Sequence, residues 1–114
     1  MFILSHEGDK VGTTMLESGD PTLFAVSGAF NNIGGAKAIA GWMKSIGGSE
    51  DDGVVFIGLD ENFCLEDSED NQLKFEEATL IAIPADDEVF LDVKGMSADD
   101  YEKYFTKHIQ AADS

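Results

Sequence analysis

Apolar residues along this chain fall into short runs separated by charged or glycine-rich turns, and two segments carry a helical period instead. Residues 2–6 form an apolar, β-like run, followed by the turn Glu7-Gly8-Asp9-Lys10. Residues 11–16, with Val11, two Thr and Met15, read as a second strand. Ser18-Gly19-Asp20-Pro21 is a turn cluster. Residues 22–26 and 54–59 are near-continuous apolar runs of the kind that marks strands buried on both faces. Residues 63–65 suit a short strand, and residues 78–83 suit another, stopped by Pro84. In residues 89–93, Val89, Leu91 and Val93 alternate against Phe90 and Asp92, as in a strand with one face inward.

The helical period appears first at Ile39, Trp42, Met43 and Ile46, which share one face. Residues 27–30 lead into that helix, Asn31 or Asn32 is its expected N-cap, and Gly47-Gly48 ends it. The second starts at Ser97, with Asp100 three residues on in a capping-box-like pair. Tyr101, Tyr104, Phe105, His108 and Ile109 lie on one face of it, and residues 111–114 are expected to fray. Short connections between the later strands favour antiparallel pairing. The expected fold is therefore α+β: one domain over residues 1–114, with a mostly antiparallel sheet of about five to six strands and two helices packed on it.

Charge changes the picture of what such a domain meets. Seven Lys and no Arg stand against 23 Asp plus Glu, a net charge of −16. That field repels phosphate backbones and anionic lipid, and the lack of Arg removes the bidentate phosphate clamp. Direct nucleic-acid binding, membrane binding and phosphate-handling chemistry are all disfavoured. Hydrophobic residues still make up 43% of the chain, enough for a core. The charge reads in two ways: as solubility or salt adaptation, or as a surface built to meet a basic partner. On the second reading the partner-binding residues are the acidic loops Glu50, Asp51 and Asp52; Glu66, Asp67, Glu69 and Asp70; and Asp86, Asp87 and Glu88. Whether these loops meet at one end of the sheet is open at this level.

Candidate chemistry adds little. The stretch 60–70 looks superficially like a calcium loop but carries Leu65 where the turn needs Gly, and Asn71 where the twelfth position needs Glu. His6, His108 and Cys64 lack zinc-ligand spacing, so no metal or cofactor is expected. Ser27 lacks the flanking glycines of a nucleophile elbow and reads as a turn serine. Cys64, between Phe63 and Leu65, reads as a buried structural thiol. As the only cysteine it forms no disulfide within the chain, which suits a reducing compartment such as the cytoplasm. No membrane span or signal peptide is expected.

The run Thr22-Leu23-Phe24-Ala25-Val26-Ser27-Gly28-Ala29-Phe30 and the helix through Trp42-Met43 resemble the strand-to-helix unit of proteasome-type N-terminal-nucleophile hydrolases. Leu80-Ile81-Ala82-Ile83 is similar to a later strand of that family. The family's nucleophile is an N-terminal Thr, Ser or Cys, whereas Met1-Phe2 begins this chain and Thr13-Thr14 is internal. The resemblance thus implies a non-catalytic relative rather than a peptidase, and no catalytic residue carries over. Three functions are expected to compete: an acidic inhibitor, immunity protein or nucleic-acid mimic; a structural or assembly subunit of unspecified oligomeric state; and a degenerate enzyme relative.

Overall fold

The computed structural model describes residues 1–20, 24–32 and 34–104. It is an α+β fold built on one antiparallel sheet of nine strands, more than the expected five to six. The strands are β1 (Phe2–His6), β2 (Asp9–Thr14), β3 (Ser18–Asp20), β4 (Ala25–Asn31), β5 (Ser49–Asp51), β6 (Val54–Gly58), β7 (Phe63–Glu66), β8 (Glu77–Ile83) and β9 (Glu88–Lys94). Helix α1 (Gly35–Ser45) follows β4, and helix α2 begins at residue 98, with residues 98–104 described. The spatial order is β5-β6-β8-β9-β4-β2-β1-β7, with β3 also against β4.

The extra strands come from polar segments that no apolar period announces. Ser18-Gly19-Asp20, expected as a turn, pairs with Ala25 to Ser27. Ser49-Glu50-Asp51, expected as a loop, pairs with Val54 to Phe56 across an Asp52-Gly53 turn in which both residues have positive φ. That two-residue Asp-Gly loop has the backbone twist that suits a hairpin, so the signal was present in the sequence.

Strands β2 and β3 act as one interrupted strand along β4. Thr13 faces Asn31 and Thr14 faces Phe30, then the register slips before Ser18 faces Ser27. In the break, Leu16 takes a positive φ and is buried, and its N–H donates to Thr14 Oγ1 at 3.2 Å. The ladder bond missing at Ala29 is replaced by its N–H donating to Glu17 Oε1 at 3.1 Å. Gly28 permits this close approach, because a Cβ there would run into the Glu17 carboxylate and lie 2.8 Å from the Leu16 backbone. The strand expected at residues 22–26 accordingly runs Ala25–Asn31 instead, and residues 22 and 23 lie outside the described residues. Ser27 is therefore a mid-strand residue and not a turn serine.

Helix α1 begins later than expected. Its N-cap is Gly34 in the left-handed region, with no side-chain cap from either asparagine. A distant residue serves instead, since the Ala36 N–H donates to Asp87 Oδ1 at 3.0 Å. Ala36, Ile39, Ala40 and Met43 are buried at the anticipated spacing. The C-terminus closes with Gly48 N–H donating to the Met43 carbonyl and Gly47 N–H to the Lys44 carbonyl, with Gly47 at positive φ. This is the glycine-ended motif that satisfies the last carbonyls. For α2, the Asp100 N–H donates to Ser97 Oγ at 3.2 Å, half of the expected capping box. The other half is redirected: Asp100 Oδ2 accepts from Lys74 N–H, and Ser97 N–H donates to the Lys74 carbonyl. The expected face positions Phe105, His108 and Ile109, and residues 111–114, lie outside the described residues.

Both helices pack on one face of the sheet. The core joins Leu4, Val26, Phe30, Val55, Leu65, Leu80, Leu91 and Val93 of that face to Ile39 and Met43 of α1 and Tyr101 of α2. None of the helices among the described residues is long and apolar enough to cross a membrane.

Candidate protein-docking surface

The acidic loops divide into two sets. Val55 opposite Ala82 brings the start of β6 beside the end of β8, and Ile83 faces Glu88. The β5–β6 turn and the β8–β9 turn are therefore neighbours, which gathers Glu50, Asp51, Asp52, Asp86, Asp87 and Glu88 at one end of the sheet. The Glu66–Asp70 stretch does not join them. His6 faces Phe63 and Ile3 faces Glu66, so β7 runs out of the sheet at the opposite end and on the opposite edge.

The two sets also differ in what their carboxylates do. Asp67 is turned inward, only 8% exposed. Its Oδ1 accepts from Glu69 N–H at 2.8 Å and Asn71 N–H at 2.9 Å, and its Oδ2 from Asn71 Nδ2 and from the Tyr104 hydroxyl at 2.6 Å. The Tyr104 hydroxyl, followed by the Asn71 backbone N–H, holds the Asp67 carboxyl well below the usual range. Donation to Asp67 in turn raises Tyr104 above the ordinary phenol value. Asp67 thus pins α2 to the loop after β7 and is not a surface charge available to a partner. Beside it, Glu66 is half-buried and accepts from Cys64 Sγ at 3.0 Å. Burial first, then the Glu66 carboxylate, pushes the Cys64 thiol up to about 11, which leaves it inert as a nucleophile at neutral pH.

At the other end, Asp87 caps α1 and Glu50 pairs with Lys44 at 3.0 Å, the single ion pair among the described residues. Asp51, Asp52, Asp86 and Glu88 are exposed and make no side-chain hydrogen bond or ion pair among the described residues. The stretch 60–70 is split by β7, so Asp60 and Asp67 stand at opposite ends of a strand. Among the described residues, no three of His, Cys, Asp and Glu converge as a metal site.

The second feature of this surface is the sheet face away from the helices. Strand register places Phe56 beside Ile81, Ile81 beside Phe90, and Phe90 beside Ala29, a row across four strands. Val54 and Ile83 lie next to it. These side chains are half-buried or exposed, with Phe56 38% exposed, and they lie outside the core. The run at residues 54–59 was expected to be covered on both faces, and among the described residues only one face of it is covered. Carboxylates bound the row on the same face: Asp51 opposite Val54, Glu88 opposite Ile83, Asp92 opposite Thr79 and Ser27, and Glu77 opposite Lys94. Nothing in the sequence of either loop or strand marks this rim. It arises because positions in period two from four strands share a face.

Among the described residues, two concavities carry polar side chains of interest. A groove of 230 Å³ runs past His6, Lys10, Asn32 and Trp42. The His6 imidazole meets Trp42 edge-on, with ring centroids 5.4 Å apart, and Phe63 at a tilt, with centroids 4.6 Å apart. A second concavity, of 240 Å³, brings Ser27 beside Asp92 but has no imidazole in its lining. Thr14 is buried within β2, with Oγ1 bonded to Leu16. Cleavage before Thr13 or Thr14 would remove all of β1 and its buried Phe2 and Leu4. No known protein family, curated protein or solved structure matches this chain.

Proposed function

We propose that this chain is a protein-binding module that docks a basic partner, acting as an inhibitor, immunity protein or nucleic-acid mimic toward a nucleic-acid-binding protein. The observation that carries this reading is the gathering of Asp51, Asp52, Asp86 and Glu88 on neighbouring turns, with no side-chain partner among the described residues. Carboxylates held out on two tight turns are pre-organised and pay little ordering entropy on binding. They steer a cationic protein toward that end and repel nucleic acid itself.

The test is capture of partners on the immobilised full chain at about 0.1 M and 0.5 M salt, where screening at the higher salt shortens the reach of charge below about 10 Å. A single stoichiometric basic protein, held less at high salt and displaced by its own nucleic acid, is the expected result. The variant Asp51→Lys, Asp52→Lys, Asp86→Lys should weaken that complex by about a hundredfold without unfolding the chain. Unchanged affinity of the variant would remove the charge from the mechanism.

An assembly subunit is the second reading, and the open apolar row through Phe56 is the observation that favours it. Sedimentation of the purified chain separates the two, since a stable homo-oligomer at micromolar concentration belongs to assembly and a monomer to the partner-binding module.

A further inference from the structure

We infer that the sheet face centred on Phe56, Ile81 and Phe90, which no other described residue covers, is where the partner seats, and that the occupant is a basic amphipathic segment of another protein. This rests on the partner-binding reading above and names its docking surface. An antiparallel sheet with one face in water normally alternates apolar inward with polar outward. Here β6 and β8 depart from that rule at the end near the Asp52 and Asp86 turns, where their outward positions are Val54, Phe56, Ile81 and Ile83, while Thr79 and Glu77 farther along β8 follow it. The outward positions of β3 and the adjoining part of β4 obey it, with Ser18 opposite Ser27. The departure is local to the strands that form the row, so it marks a patch rather than a general property of the sheet.

The row Phe56–Ile81–Phe90–Ala29 crosses four strands, about 14 Å at the usual strand spacing. That length takes the apolar side chains of about two helical turns or five extended residues. Carboxylates flank the row along the strand direction, Asp51 and Glu88 on one side and Asp92 and Glu77 on the other, which calls for Lys or Arg beside those apolar anchors. The same rim argues against a second copy of this chain, which would bring like carboxylates together around a shared apolar centre on a molecule of charge −16. An apolar centre within a charged rim is the anatomy of a specific protein interface.

The experiment is a ¹⁵N NMR titration of the full chain with two synthetic peptides of equal charge, one alternating Leu and Lys, the other Gly and Lys. The Leu–Lys peptide should shift amides of residues 54–58, 79–83 and 88–92, and should bind at least about tenfold more tightly than the Gly–Lys peptide. Phe56→Ser should remove most of that difference, and Glu88→Lys should weaken both peptides about threefold while leaving the difference in place. Thermal unfolding checks that each variant folds, and the exposed Glu88 keeps the test valid if Phe56→Ser does not. Shifts confined to the turns around Asp52 and Asp86, with the two peptides equal, would overturn this inference and leave the charge reading standing. Absence of binding by either peptide would overturn both. Contacts from residues 105–114 to Phe56 or Phe90 in the free chain, or a dimer abolished by Phe56→Ser, would give the face to another occupant and overturn the inference.

Discussion

Two sets of acidic turns do opposite work in this molecule. In the loop after β7, Asp67 draws two backbone N–H groups, one side-chain amide and a tyrosine hydroxyl around a single carboxylate. At the far end, Asp51, Asp52, Asp86 and Glu88 stand on hairpin turns with their charge directed to water. The difference is set by donors. Asx-type bonding needs N–H groups two to four residues on, and residues 68–71 coil back to supply them. At the Asp52-Gly53 hairpin the chain runs straight on into β6, so among the described residues no N–H two to four residues on is aimed back at the carboxylates of Asp51 or Asp52. Acidic residues are thus used both as internal fasteners and as an external field, and composition alone does not separate the two.

The sharpest way to break that contrast is Asp67→Ala, which strips four hydrogen bonds and releases Tyr104. It should lower the melting temperature by about 10 °C in a calorimetric scan. A shift no larger than that of an Asp86 variant would mean the loop is not a fastener.

Acid titration offers a second probe. The Asp67 carboxyl is depressed in the folded state, so its contribution is fully present above the unfolded carboxyl value of about 4. It is lost as pH falls from there through the folded value. Asp67→Asn should therefore flatten the fall in stability below about pH 4 while barely changing its slope near neutrality.

Tyr104→Phe removes one hydrogen bond to the same carboxylate and should cost about 1 kcal/mol in denaturant unfolding. Asp87→Ala is expected to cost a similar amount, about 1 kcal/mol, because it uncaps α1. Hydrogen exchange should show the loss of protection at Ala36 first. Asp86→Lys, at the other extreme, should stay within about 0.5 kcal/mol of the parent chain while altering salt-dependent binding. A large stability change there would mean the hairpin end is also stitched.

The amino-acid sequence by itself determined the class and the inward pattern: α+β, antiparallel, with α1 on the period Ile39–Met43–Ile46 and β9 alternating Val89, Leu91 and Val93. These were legible because burial imposes a period on each segment independently of its neighbours. It also determined the charge and the absence of arginine. Only the tertiary structure decided that Ser18–Asp20 and Ser49–Asp51 are strands, since a short polar strand is made by its partner's hydrogen bonds and not by its own side chains. Only the tertiary structure chose Asp87, 51 residues distant, as the cap of α1 in place of the adjacent asparagines. It alone split the three acidic loops between opposite ends and, among the described residues, left the apolar positions of β6 and β8 covered on one face. Those outcomes depend on strand order and register, which place residues far apart in sequence side by side, and no local pattern of polarity encodes that order.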